Sequence, residues 1–214
     1  KKIYLSICAI VIVSSSFAQH SKISNDNSIE LTKQISNVHP QITSSSALVP
    51  IVIWENTCSD VSDWILTNSG VPPLDWNFST NIDIQSQCVT PLPSSLQTFN
   101  STTASDGFMI INSDAAPGNA DGNGTPIVAE FTNAIPIDLT GYPYVELSFQ
   151  HSFRWWNDTR GVRVSGDNGV TWTDFEISNA TDYHTPDQNS DNPHISTYNI
   201  SSISGNSDSV LLQF

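Results

Sequence analysis

Basic residues are scarce in this 214-residue sequence, which has seven Lys and Arg against 21 Asp and Glu and a formal net charge of −14. No Lys or Arg occurs between Lys33 and Arg154. Proteins that bind the phosphate backbone of nucleic acids need clusters of basic side chains. The composition therefore argues against a nucleic acid partner, and the excess of carboxylates favours binding of cations instead.

Charged residues are few overall, at 13% of the chain, and there is a single Met. Polar character comes mainly from 32 Ser, 18 Thr and 19 Asn. No segment keeps a helical spacing of apolar residues for three turns. A chain of this kind favours strands, turns and loops over helices, so the sequence predicts an all-β protein.

The first residues have the order of a secretory signal peptide. Lys1 and Lys2 precede an apolar run at residues 3–13, and small residues ending at Ala18 follow it. A transmembrane anchor needs about 20 apolar residues and is the weaker interpretation, as is lipidation at Cys8. We therefore expect cleavage after Ala18 and a secreted or cell-surface protein. Residues 19–47 are polar and predict a linker or propeptide-like segment.

Two cysteines, Cys58 and Cys88, remain after the predicted cleavage. In an oxidising compartment an even pair most often forms a disulfide. Closing this loop would stabilise the fold by about 3–4 kcal/mol in the chain-entropy model. The alternative is a pair of buried thiols.

Beyond residue 47, short apolar or alternating runs are separated by Pro and Gly. They predict strands at residues 49–54, 64–67, 107–112, 127–131, 145–153, 161–165, 171–177 and 210–214. Such a series favours a single two-sheet sandwich over residues 48–214. The last run is apolar up to Phe214, so we expect the domain to be incomplete at its C-terminal strand.

Several of these segments, taken in order, resemble one known family of modules. They are Ile53-Trp54-Glu55-Asn56, Trp64, Asp75-Trp76, Ala104-Ser105-Asp106-Gly107-Phe108-Met109-Ile110, Val128-Ala129-Glu130-Phe131, Val145-Glu146-Leu147-Ser148-Phe149 and Gly161-Val162-Arg163-Val164-Ser165. Their order resembles the MAM-like and cleaved-adhesin-like modules of exported Bacteroidota proteins. The resemblance implies a concanavalin-like jelly-roll sandwich. It is better for the bacterial modules than for the animal ones, which usually carry four cysteines.

The same resemblance implies a structural calcium ion. Carried over position by position, its acidic ligands are Glu55 and Asp106, with Asp114 as a further candidate. Calcium takes six to eight oxygen ligands, so backbone carbonyls and other residues would have to complete the site. The alternative is a set of solvated carboxylates at strand ends.

A second candidate calcium site depends on residue spacing alone and not on the family resemblance. Asn119, Asp121, Asn123 and Glu130 fall at spacings of a calcium-binding loop. Prolines and strand-like runs surround the pattern, so the helices of an EF-hand are excluded. An ordinary polar turn is the simpler interpretation of this loop.

The most specific local motif is an Asp-box, formed by Ser165, Asp167, Gly169 and Trp172. It predicts a hairpin in which Asp167 accepts backbone hydrogen bonds and Gly169 takes a positive φ. Asp-boxes recur in propeller enzymes, but a propeller needs several copies. One copy indicates a structural turn.

Aromatic and polar residues cluster at Arg154, Trp155, Trp156 and Asn157. Exposed Trp rings can stack on sugar rings while polar neighbours bind hydroxyl groups. This cluster is therefore a candidate glycan contact. The alternative places at least one of the two Trp side chains in the core.

No nucleophile elbow, zincin helix or phosphate loop occurs in the sequence. The sequence therefore predicts a non-catalytic module for adhesion, with an extracellular glycan or surface protein and further domains of the same polypeptide as partners. The alternative is an accessory domain of a secreted peptidase or glycoside hydrolase whose catalytic domain lies outside this sequence.

Overall fold

The computed structural model describes residues 4–14, 50–69, 73–88, 91–112, 128–154, 159–177 and 189–214. Within these ranges the chain is an all-β protein, as the composition predicted. The eleven strands are β1 (Tyr4–Ser14), β2 (Ile51–Asn56), β3 (Trp64–Asn68), β4 (Asn77–Ser79), β5 (Phe108–Asn112), β6 (Ala129–Asn133), β7 (Val145–Arg154), β8 (Gly161–Ser165), β9 (Thr173–Glu176), β10 (His194–Asn199) and β11 (Leu211–Gln213).

The strands form two antiparallel sheets. The first has the order β10-β7-β1-β5-β4, and β2 also pairs with β1. The second has the order β3-β6-β11-β8-β9.

Helical structure is limited to short segments. The one α-helix of the described residues, α1, covers Ser201–Ser204, and one-turn 3-10 helices occur at Val61–Asp63, Gln85–Gln87 and Ser94–Leu96. Across the described ranges, no helix has the length and apolar character needed to span a membrane.

Aromatic side chains from both sheets meet in the main core. Phe131 of the second sheet packs against Phe214, with ring centroids 5.0 Å apart. Phe214 in turn meets Phe149 of the first sheet edge to face at 5.1 Å. Buried rings of this kind contribute both apolar burial and specific ring geometry, so this cluster joins the two sheets.

A second apolar cluster lies under the long connection between β4 and β5. Leu92, Leu96 and Phe99 of this connection pack with Phe108 and Ile110 of β5. Phe99 and Phe108 meet at 5.2 Å. The connection is therefore a packed part of the fold, although it contains little regular structure.

All eight predicted strand runs coincide with observed strands to within a few residues. The sequence did not predict β4 and β10. It also gave a different role to residues 4–14, which form β1 at the centre of the first sheet. Cleavage after Ala18 stays a prediction, and residues 19–47, the predicted linker, lie outside the described residues.

The predicted disulfide between Cys58 and Cys88 stays a prediction. Cys58 is fully buried in the main core. Cys88 is half-buried beside the second cluster. The two residues thus belong to different apolar clusters of the fold.

Asn133 at the end of β6 is a buried polar residue that connects two strands. Its Oδ1 accepts a hydrogen bond from the Leu212 N–H at 2.6 Å. Its Nδ2 donates to the Ile135 carbonyl at 2.7 Å and to the Val210 carbonyl at 3.3 Å. One amide side chain therefore fixes the start of β11 against β6.

Candidate binding surface

The second sheet has one apolar face and one polar face because its side chains alternate. Val162 and Val164 of β8 are fully buried, whereas Arg163 between them is partly exposed. In β11, Leu212 is buried and Gln213 is half-exposed. This period of two, expected of a strand with one buried side, presents polar residues on the face opposite the core.

A row of polar side chains crosses this outer face. We call it the polar row, and it consists of Thr67, Glu130, Gln213, Arg163 and Asp174. Backbone pairing sets Thr67 opposite Glu130, Gln213 opposite Arg163, and Arg163 opposite Asp174. The five residues come from β3, β6, β11, β8 and β9, so every strand of the sheet contributes one.

Arg163 is the centre of the polar row. Its Nε donates to Asp174 Oδ1 at 2.7 Å and its Nη1 donates to Gln213 Oε1 at 3.1 Å. Nη1 also lies 3.9 Å from Glu130 Oε1, and the Thr67 hydroxyl lies 3.3 Å from Glu130 Oε2. The guanidinium group thus contacts one carboxylate and one amide directly and lies near a second carboxylate.

The ion pairs of the polar row are solvent-accessible. The side chain of Asp174 is 77% exposed and that of Arg163 is 42% exposed. Exposed pairs contribute only about 0–1 kcal/mol to stability. Folding therefore does not depend on this arrangement, and its polar groups are accessible to a ligand.

A groove of about 450 Å³ adjoins the polar row where β6 and β8 begin and β9 and β11 end. Glu130, Arg163, Asp174 and Gln213 line both the row and the groove. The remaining lining residues are Val128, Ala129, Thr159, Arg160, Gly161, Val162, Phe175, Glu176 and Phe214. The cavity thus combines charged groups with apolar surface.

Arg160 also lines the groove. It is a buried residue, and its guanidinium carbon lies 3.7 Å from the centroid of the Phe153 ring. A cation at this distance over a ring face is held by a cation–π interaction.

Trp172 lies beside the polar row, and the Asp-box turn holds it there. Its ring is half-exposed, and the guanidinium carbon of Arg163 is 5.3 Å from the ring centroid. The indole N–H donates to the carbonyl of Gly169 at 3.1 Å. An aromatic face of fixed orientation therefore borders the polar groups.

The Asp-box turn is a dense hydrogen-bond network between β8 and β9. Asp167 Oδ1 accepts from the Thr171 N–H at 2.8 Å, and Oδ2 accepts from the Thr171 hydroxyl at 2.6 Å. These bonds, together with one from Ser165, lower the pKa of Asp167 to about 2. Gly169 has φ +85°, a conformation that favours glycine.

The first two calcium candidates are exposed, and the third lies outside the described residues. Glu55 is in β2, and Asp106 directly precedes Gly107, where an added Cβ would approach the Cys58 carbonyl oxygen. Within the described ranges, no three His, Cys, Asp or Glu side chains form a group that could hold a metal ion. Asp114 is not among the described residues, and calcium binding by Glu55 and Asp106 stays a prediction.

The other candidate sites are only partly described. Asn119, Asp121 and Asn123 lie outside the described residues. Glu130, the last position of that loop, belongs instead to the polar row. Of the glycan-contact cluster, Trp155, Trp156 and Asn157 also lie outside the described residues, while Arg154 ends β7 and forms a bridge with Asn189.

Sequence reasoning missed the polar row. Only the pairing of Arg163 with Asp174 is local, since both flank the Asp-box turn. Contacts of Arg163 with Gln213 and of Thr67 with Glu130 join residues 50 and 63 positions apart. The alternation of polar residues in β8 and β9 was the available signal, and it does not reveal which strands become neighbours.

Comparisons with protein-family models, with curated proteins and with solved structures found no match for this chain.

Proposed function

We propose that this chain is an exported jelly-roll β-sandwich module that binds an extracellular glycan on the outer face of its second sheet. Two antiparallel sheets that share one aromatic core support the sandwich architecture. The secretory character of residues 1–18 supports export. Attachment to a larger surface protein would make the module an adhesin.

The polar row beside Trp172 carries the proposal. Sugars present hydroxyl groups that are bound by planar polar side chains, and apolar C–H faces that stack on aromatic rings. Arg163, Asp174 and Gln213 provide such donors and acceptors, and Trp172 provides the ring. The adjoining groove of about 450 Å³ would hold part of the saccharide.

The charge of the surface indicates the kind of glycan. The polar row contains two carboxylates and one guanidinium, in a protein of net charge −14. A strongly anionic glycan would be repelled by the protein as a whole. We therefore favour a neutral glycan as the ligand.

Calcium belongs to this proposal as a structural ion near Glu55 and Asp106. It is supported by the resemblance to cleaved-adhesin-like modules and by the excess of acidic residues. The ion would stabilise the fold, and no contact between it and the glycan is part of the proposal.

A glycan array followed by titration calorimetry tests the proposed function. We expect binding to a neutral saccharide that Arg163→Lys weakens about tenfold or more, because lysine keeps the charge but cannot reproduce the two hydrogen bonds of the guanidinium fork. Trp172→Ala should have a similar effect. Glu146→Gln on the exposed side of β7 is the matched control. Binding that survives both Arg163→Lys and Trp172→Ala would contradict this site.

A further inference from the structure

Strand β1 is paired along both of its edges in the first sheet. Along one edge, ten of its residues pair with β7, from Tyr4 opposite Arg154 to Ser14 opposite Val145. Along the other edge, Tyr4–Ile7 pairs with β5 and Ile10–Ser14 pairs with β2. The backbone of β1 therefore joins β7 to two strands that follow one another end to end.

The neighbours of β1 depend on it for their own hydrogen bonds. In the described part of the chain, β2 pairs with β1 and with no other strand. Without β1, β7 would have an unpaired edge along ten residues. Val145, Leu147 and Phe149 of β7 are buried, and backbone groups in such surroundings are costly to leave unsatisfied. This position in the sheet must therefore be filled in any stable form of the fold.

The residues that fill the position are the apolar part of the predicted signal peptide. An exported chain that loses residues 1–18 also loses β1. The sequence Tyr4–Ser14 is uncharged and rich in Ile and Val, a composition that suits a strand with neighbours on both sides. In the precursor, β1 fills this position between β7 and its neighbours. After cleavage, a different strand must fill the same position.

We propose that the position between β7 and the β2–β5 edge is a strand-acceptor site. Residues 4–14 occupy it in the precursor, and cleavage opens it to an uncharged, Ile- and Val-rich β-strand of a partner polypeptide. The partner strand runs antiparallel to β7 and spans about eleven residues, which are the direction and length of the segment seated there. Strand addition of this kind takes its affinity from backbone hydrogen bonds and its register from side-chain alternation.

The proposal makes removal of the leader a switch for assembly. While β1 is covalently attached, its effective concentration at the acceptor site excludes a competing strand. After cleavage, a partner strand competes only with a peptide that is free to dissociate. The inference rests on export, which is part of the proposed function, and it is independent of glycan binding.

The test compares the full chain with a chain that begins at Gln19, and it uses a synthetic peptide of the sequence Tyr4–Ser14 as the partner strand. We expect the shorter chain alone to melt at least 10 °C below the full chain, or without a cooperative transition. Added peptide should raise its melting temperature with increasing concentration. Val145 and Phe153 pair their backbone groups on the β10 side, so the alternate residues Glu146 and Ser148 direct theirs towards β1. Amide exchange of Glu146 and Ser148 should slow at least tenfold when peptide is bound.

A peptide with Ile10→Pro and Ile12→Pro is the matched control. It keeps the length and remains uncharged, but proline lacks the N–H that a central strand must donate. We expect at least tenfold weaker binding of this control, measured by fluorescence anisotropy. The full chain should bind neither peptide, since its acceptor site is filled.

Three results would overturn the proposal. They are equal melting temperatures and equal exchange rates for the two chains, failure of the peptide to stabilise the shorter chain, and equal binding of the two peptides. Export is tested separately by sequencing the N-terminus of the secreted protein, where Gln19 is the expected first residue. An intact leader there would refute cleavage and with it the switch, while leaving the glycan-binding measurement untouched.

Discussion

His151 Nε2 lies 2.8 Å from the hydroxyl oxygen of Ser196, where β7 and β10 pair in the first sheet. His151 is fully buried, and its ring stacks on Phe153 with centroids 5.6 Å apart. Burial, followed by the charges of His194 and Arg160, lowers the pKa of His151 to about 3. The imidazole is therefore neutral in the folded protein at physiological pH.

The lowered pKa of His151 predicts a loss of stability in mild acid. The unfolded chain takes up a proton on His151 near pH 6.5, whereas the folded chain does so only near pH 3. The free energy of unfolding should therefore fall as the pH drops from about 6.5 to about 3, by at most about 1.4 kcal/mol per pH unit from this one group. Above that window His151 has no further effect.

Urea unfolding between pH 4 and 8 measures this dependence. His151→Phe, which fits between Phe149 and Phe153 but cannot be protonated, should remove most of the slope. His194→Gln is the control, because it changes the neighbouring ring and should leave most of the slope in place. An unchanged slope in His151→Phe would assign the pH dependence to other groups.

Asp167 predicts a second loss of stability at lower pH. Its pKa is lowered to about 2 by hydrogen bonds that only the carboxylate accepts, chiefly from Thr171. This contribution is present above the ordinary value near 3.8, and it is lost as the pH falls towards 2. Asp167→Asn should flatten the pH dependence below pH 4 and should not alter it above pH 5.

Exchange of the Thr171 amide proton provides a local measurement of the same turn. In Asp167→Asn this proton should exchange faster than in the unmodified protein, because the amide oxygen is a weaker acceptor than a carboxylate. Asp138→Asn is a matched control at another turn, where Asp138 accepts from the Thr140 N–H at 2.8 Å. Protection of Thr171 that is equal in the two variants would contradict this role of Asp167.

The strands were predictable where apolar residues alternate with polar ones, and β10 shows where this rule fails. In β10 the apolar Ile195 is 59% exposed, while Ser196 is buried. Ser196 is buried because its hydroxyl pairs with His151. A polar residue that has a buried polar partner reverses the usual pattern, and the sequence does not reveal that partner in advance.

The candidate site was predictable only in its local part. The Asp-box sequence predicted the turn that positions Trp172, because a turn depends on residues close together in the chain. Arg163, Gln213 and Glu130 come together through strand order, which depends on how distant segments pair. The sequence predicted a strand at each of these positions, but it did not predict which strands would pair.

Asn133 predicts a large loss of stability from a small substitution. Asn133→Ala removes the acceptor for the Leu212 N–H and the donor to the Ile135 carbonyl. Leaving the buried Leu212 N–H without a partner costs about 1–3 kcal/mol, whereas the carbonyl of the exposed Ile135 can find water. Urea unfolding should show a loss of about 1–3 kcal/mol. Asn77→Ala is the control, since the exposed Asn77 side chain should matter by less than about 0.5 kcal/mol; a similar loss in both variants would refute the role of Asn133.

Calcium should raise the melting temperature of the protein, if Glu55 and Asp106 bind it as the family resemblance implies. A ligand that binds only the folded state stabilises it by about 2.7 kcal/mol at a concentration one hundred times its dissociation constant. Scanning calorimetry in millimolar calcium and in excess chelator measures the difference, which we expect to be several degrees. Glu55→Gln and Asp106→Asn should each abolish it, because amides are weaker ligands for a hard cation than carboxylates, whereas Glu146→Gln should preserve it. Equal melting temperatures in calcium and in chelator would show that these carboxylates are simply solvated.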